Sequence, residues 1–112
     1  MKTTDLLSSL DLKLISGKSG MDRSITGGYV SDLLSDVIGS AREGQIWITL
    51  QTHQNIVAVA SLKDVAGIII VKGLKADEDT IEKSNTEGIP ILSSDEDSFT
   101  VAGKLFELLN RK

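Results

Sequence analysis

Apolar positions recur along the chain in short blocks, and the spacing within each block predicts its element. "TTDLLSSL" (residues 3–10) reads as a short amphipathic helix with a Thr cap and Asp5 in its first turn, and "LKLIS" after it reads as a strand. "GKSGMDRSITGG" is then a connection. In "YVSDLLSDVIGSA", residues Leu33, Leu34, Val37, Ile38 and Ala41 have the spacing of one buried helical face, with Ser31 or Asp32 as its cap. "REGQ" breaks that helix, and "IWITL" has the β-branched and aromatic content of a strand. "NIVAVASLKDVA" is long, alanine-containing and without a turn signal, which favours a buried helix.

The second half is punctuated more clearly. "GIIIV" is a continuous apolar run between Gly67 and Gly73, the pattern of a strand covered on both faces of a parallel sheet. "KADEDTIEKSNTEGIP" opens with three acids and closes at Gly88, two residues before Pro90, so a helix ending in a left-handed glycine is predicted. "IPIL" restarts a strand. "SDEDSFTVAGKLFELLNRK" places Phe99, Ala102, Leu105, Phe106 and Leu109 on one side of a terminal helix, predicted to dock there. Strands alternating with helices over short connections imply an α/β fold, a mostly parallel β-sheet with helices on both faces. No repeat or dividing linker interrupts residues 1–112, and a single domain is expected.

Composition narrows the function. There is no cysteine, which removes disulfides and thiolate chemistry, and one histidine makes a His-rich metal site unreachable, so no metal and no cofactor are expected. A net charge of -4 has the wrong sign for a domain that holds nucleic acid through its phosphates. No run approaches the roughly 18 apolar residues of a membrane span, and no signal-peptide pattern opens the chain, so no membrane association and a cytoplasmic location are expected. Four aromatic residues leave the core to aliphatic side chains, with Trp47 among the fillers.

"GKSG" invites a phosphate-loop reading, which fails on spacing and on context. A Walker loop needs glycine five residues before its Gly-Lys-Ser; that position is Leu12, and "GMDRSITGG" following Ser19 supplies no helix. The nucleophile-elbow pattern "GxSxG" is also missing, and no enzymatic activity is expected.

Asp22 and Arg23, the "TGGYVSDLLSDV" segment, "IWITLQTHQNIVAVASLKDVAGIII" with Thr49, the glycines Gly67 and Gly73, and "KGLKADEDTIEKSNTEGIPIL" together resemble a DRTGG domain over nearly the whole chain. The family's usual glycine before "DLL" is Ser31 here. The resemblance implies a fold similar to the amino-terminal domain of HPr kinase. It further implies a regulatory and dimer-forming role of the kind such domains have beside CBS pairs in pyrophosphatases and in some phosphotransacetylases.

In open parallel sheets ligands sit beyond the carboxyl ends of strands, which here means "TLQTHQN", "KGLK" and "SSDEDS". Acidic first turns at Asp77, Glu78 and Asp79, and at Asp95, Glu96 and Asp97, oppose an anion, as does Asp32. The helix opening near His53 has no acid. Candidate ligand contacts are therefore Thr49, Thr52, His53 and Asn55, with Lys72 and Gly73 across the sheet end and Lys75 nearby. Thr52 or Asn55 serves either as a helix cap or as a ligand contact, and His53 either as a solvated or capping residue or as a proton-responsive group. Two functions fit: a regulatory module sensing a nucleotide or small phosphorylated metabolite near residues 49–55, or an interaction module without a small ligand. The nearly all-round apolar "IVAVASLKDVA" points to a homodimer, with a partner enzyme or regulator as the wider context.

Overall fold

Five strands build one sheet in the order β1-β5-β4-β3-β2: β1 Lys13–Ser16, β2 Gly27–Val30, β3 Gln45–Thr49, β4 Gly67–Ile70 and β5 Ile91–Ser93. The structure is a computed structural model and describes residues 1–111. Strands β2 to β5 run parallel, and β1 alone is antiparallel, against β5 with a register irregularity between Leu14 and Ser16. The expected α/β architecture is thus present, with one antiparallel edge.

The helices are α1 Leu6–Ser9, α2 Leu34–Ser40, α3 Asn55–Lys63, α4 Glu78–Glu87 and α5 Ser98–Leu109. β4 carries Ile68, Ile69 and Ile70, all buried, so alternate side chains feed opposite cores. Ile69 joins Ile46, Ile48 and Leu92 under α1 and α5, where Leu6, Val101 and Leu105 pack. Ile68 and Ile70 join Trp47 and Ile91 on the other face, where Val37 of α2 and Ile56, Val57 and Ala60 of α3 pack. Each full burial of such an isoleucine contributes about 1.5–3 kcal/mol. The aliphatic composition therefore suffices for a two-sided core.

Several local readings are corrected. Gly27–Val30 is an edge strand rather than connection and helix start, and α2 begins at Leu34 with Leu33 as its cap residue. Leu33 is 65% exposed and Ile38 43%, so only Val37 and Ala41 of the predicted α2 face are fully buried. α3 stops at Lys63, where Asp64 turns left-handed at φ 55°. Thr3 caps nothing: its buried hydroxyl donates to Ala66 O at 2.9 Å, while Asp5 accepts from the Lys2 amide. On α5 the burial falls on Val101 and Leu105, whereas Phe99 and Phe106 stand 89% and 71% exposed. The predicted left-handed glycine after α4 is Gly88, φ 67°.

The "GKSG" stretch is a short 3-10 turn packed against the α4–β5 connection. Gly17 is left-handed at φ 74°, and a Cβ there would collide with the backbone carbonyl of Ile89; one on Gly20 would collide with that of Gly88. The Gly17 amide donates to Asn85 Oδ1 at 2.8 Å. Close backbone approach, and no phosphate, accounts for these glycines.

Candidate functional site

The carboxyl ends of β4 and β5 and the start of antiparallel β1 surround a cavity of about 380 Å³ on the α4 side of the sheet. Ile70 and Ile91 form its floor, and Ile15, Leu74 and Ile81 supply apolar walls. Lys13 and Lys75 bring positive charge, Asp11 and Asp95 negative charge, and Ser93 a hydroxyl. Neither lysine pairs with a carboxylate among the described residues. The acids that open α4, Asp77, Glu78 and Asp79, are exposed and none lines the cavity.

Two consecutive left-handed residues shape the rim: Lys72 at φ 62° and Gly73 at φ 66°. Their amides donate to Glu96 O and Ser94 O, each at 2.8 Å, which ties the loop after β4 to the loop after β5. A Cβ on Gly73 would lie 3.3 Å from Asp95 Oδ1. Glycine at this position keeps the cavity mouth clear and permits the turn.

Thr49, Thr52, His53 and Asn55 do not line this cavity. Thr49 is fully buried; its hydroxyl donates to Asp32 Oδ1 at 2.9 Å, and the same carboxylate oxygen accepts from the Leu50 amide at 2.6 Å. Thr52 O accepts from the Asp77 amide at 3.2 Å and the Thr80 hydroxyl at 2.7 Å, pinning the start of α4. His53 Nδ1 accepts from the Asn55 amide at 3.2 Å, a capping contact at the start of α3, whose first turn carries no acid. Of the predicted residues, Gly73 and Lys75 line the cavity, Lys72 adjoins Gly73, and Thr52 pins the start of α4, the helix that supplies Ile81 to the wall, whereas Thr49, His53 and Asn55 make their contacts elsewhere.

The residues that carry the family resemblance are structural in their contacts. Arg23 donates to Val65 O at 2.9 Å and pairs with Asp64, fixing the left-handed end of α3. Asp22 accepts from Lys2 Nζ at 3.1 Å at the surface. Thr26 donates from its hydroxyl to Glu43 O at 2.8 Å, and a Cβ on Gly28 would meet Leu105 Cδ2 at 3.0 Å. Ser31 accepts the Leu33 amide at 3.1 Å, and its carbonyl accepts Trp47 Nε1 at 2.8 Å.

Among the described residues, Asp97 and Tyr29 depart from their ordinary ranges. The Thr100 amide bonded to Asp97 lowers that carboxyl's pKa, helped by Thr100's further hydrogen bonding and the charge of Lys72. The hydrogen bond from Tyr29 to Asp36, 2.7 Å, raises the phenol's pKa. Both lie outside the cavity. Among the described residues no group of three or more His, Asp or Glu side chains is placed to hold a metal, and no helix is long and apolar enough to cross a membrane.

The profile of the DRTGG domain matches residues 5–108. The chain belongs to the DRTGG domain family. No curated protein matches it significantly. Among solved structures, it is similar to the CBS and DRTGG domains of the regulatory region of Clostridium perfringens pyrophosphatase, complexed with the activator diadenosine tetraphosphate. The match has a TM-score of 0.67 and 18% identity over 91% of this chain, and spans 46% of the other. The chain therefore spans less than half of that regulatory region. At that identity the likeness carries the fold, and the fold agrees: a five-stranded, mostly parallel sheet with helices.

Asp11 and Lys13 lie outside the segments the sequence pointed to, whereas Ser93 and Asp95 belong to "SSDEDS", a strand end that its acids had argued against. Ser93 follows from the rule that ligands gather at carboxyl strand ends, since β5 ends there. Lys13 and Asp11 had no such signal, because they arrive through the antiparallel pairing of Lys13 with Ser93.

Proposed function

We propose that this DRTGG domain is a non-catalytic regulatory module that binds a nucleotide in the cavity beside Gly73 and passes the signal on through a protein contact. The observation that carries the reading is the mixed lining of that cavity. Lys13 and Lys75, with no ion-pair partner among the described residues, suit phosphate oxygens, Asp11 and Asp95 suit amino or hydroxyl donors, and Ile15 and Leu74 suit a flat ring. A small phosphorylated metabolite would use the lysines and leave the apolar walls unused. A volume of about 380 Å³ falls within the range of small-molecule sites. The activator bound to the pyrophosphatase regulatory region, diadenosine tetraphosphate, is itself a dinucleotide, which agrees in chemical class. His53 accepts from the Asn55 amide through Nδ1, a contact at the start of α3 rather than in this cavity.

Thermal unfolding against a panel of adenine and guanine nucleotides tests this. A ligand at 100 times its Kd adds about 2.7 kcal/mol, several degrees for a domain this size. The joint variant Lys13→Ala and Lys75→Ala is expected to keep the unliganded midpoint and to weaken binding at least tenfold. A flat panel overturns the reading. A shift that survives the lysine variant but is lost in His53→Ala or Asn55→Ala moves the site to the start of α3.

A further inference from the structure

The largest exposed apolar groups lie on α5, and they share one side of it. Phe99 and Phe106 are seven residues apart, two helical turns, so they project in nearly the same direction. Gly103 between them has open space where a side chain would be, and Ala102 and Leu109 flank the strip. The charged residues Lys104 and Glu107 lie around the helix from this strip, and Lys104 is bound to Glu96 at 2.8 Å. A strip without charge on an otherwise ordinary acidic surface is the composition of an interface core.

Beside the strip lies a recess of about 430 Å³ between α5 and the sheet edge, lined by Gly27, Gly28, Val30, Ile48, Leu105 and Phe106. It exists because β2 presents glycine on this face and α5 reaches no further. β2 is also the outer strand of the sheet, bonded to β3 only, and "GGYV" carries neither the charge nor the proline that commonly protects such an edge. The same face thus holds two projections and a hollow next to them. That combination is self-complementary, as a two-fold contact requires, because each copy offers both halves.

We propose that α5 and β2 form a homodimer interface in which Phe99 and Phe106 of each copy enter the recess between α5 and β2 of the other. The area supports a second copy. With aromatic side chains presenting about 150–250 Å² each, the fractional exposures of the two leave roughly 320 Å² of apolar surface, and half-exposed Val30 brings it to about 400 Å². Two copies would bury about 800 Å² of apolar area. At the usual apolar share of roughly 60%, the whole interface reaches about 1,300 Å², within the range of stable specific contacts. None of these residues lines the cavity beside Gly73, so this interface and the nucleotide reading fail independently.

Sedimentation velocity from low micromolar to near-millimolar concentration tests the proposal on the full chain. The wild-type protein is expected to be dimeric over most of that range. Phe99→Ser with Phe106→Ser is expected to weaken the dimer at least about thirtyfold, since central aromatic anchors dominate interfaces. Both positions are exposed, so circular dichroism of the double variant should be that of a folded domain. Leu62→Ser, at a 68% exposed apolar position on α3, should leave the dimer intact. A wild-type protein that stays monomeric throughout overturns the proposal and leaves the face to a different protein. A dimer that survives the double serine variant, or dissolves in Leu62→Ser alone, overturns it as well.

Discussion

The two faces of the sheet are covered unequally. On one, α2, α3 and α4 lie side by side over Trp47, Ile68, Ile70 and Ile91. On the other, α5 and the four-residue α1 cover Ile46, Ile48, Ile69 and Leu92 and leave the strip beside β2 open. The helix that is apolar nearly all round, α3, belongs to the first face and buries Ile56, Val57, Val59 and Ala60 among its own neighbours. The helix that shows its apolar residues outside, α5, belongs to the second. Burial is therefore set by how many neighbours an element has, as much as by its own composition. An interior helix in a row of three can be apolar on several sides, whereas a flanking helix with the same content has a surplus.

The largest test of this contrast removes volume from the closed face. Trp47 is fully buried, and its indole N–H is bonded to Ser31 O, so Trp47→Ala is expected to cost about 3–5 kcal/mol in urea unfolding followed by circular dichroism. A loss under 1 kcal/mol would mean that this face repacks freely and is less closed than its burial indicates.

Within α5 itself the contrast narrows to two adjacent residues. Leu105→Ala should cost about 3 kcal/mol, because Leu105 is 2% exposed and touches the core. Phe106→Ala should cost less than about 0.5 kcal/mol when measured at concentrations low enough to keep the chain monomeric. Equal losses would show that Phe106 is packed in the monomer, and the open strip would close.

How far these faces could be read in advance varies by element. The runs "IWITL", "GIIIV" and "IPIL" announced β3 to β5, because strands buried on both faces need continuous apolar side chains. Gly88 announced the end of α4, since few other residues take its backbone angle comfortably. β2 stayed hidden: two of its four residues are glycine, and an edge strand needs little apolar content. The orientation of α5 was also hidden. Its apolar arc is broader than one neighbour can cover, and periodicity gives angles around a helix without saying which angle faces the sheet. At the candidate site, Gly73 and Lys75 were reachable from the strand-end rule, while Lys13 and Asp11 were not, being brought in by the pairing of Lys13 with the distant Ser93.

Glycines sharpen the same comparison at the backbone. Gly17, on the side covered by α4, is left-handed and faces the Ile89 carbonyl, so Gly17→Ala should cost about 2–3 kcal/mol. Gly28, under α5, faces only the end of the Leu105 side chain at 3.0 Å, which can rotate away. Gly28→Ala should therefore stay within about 1 kcal/mol of wild type. Reversal of that order would place the rigid packing on the α5 side.

The smallest effect concerns how α5 is held where its flank is open. Asp97 caps the helix through the Thr100 amide at 2.8 Å, and that bond holds the carboxyl below its ordinary range. A lowered folded-state pKa means that the charged form favours the folded state. The contribution is present above the unfolded carboxyl value, near pH 4, and is lost as pH falls through the folded value. Asp97→Asn keeps an oxygen to cap the helix and removes the titration. Its thermal midpoint should lie close to wild type at neutral pH, and it should lose less than wild type as pH drops below about 4. Parallel acid curves for the two proteins would show that the first turn of α5, which carries exposed Phe99, is held by packing against the sheet rather than by its cap. The open face would then be more firmly anchored at this end than a single capping carboxylate implies.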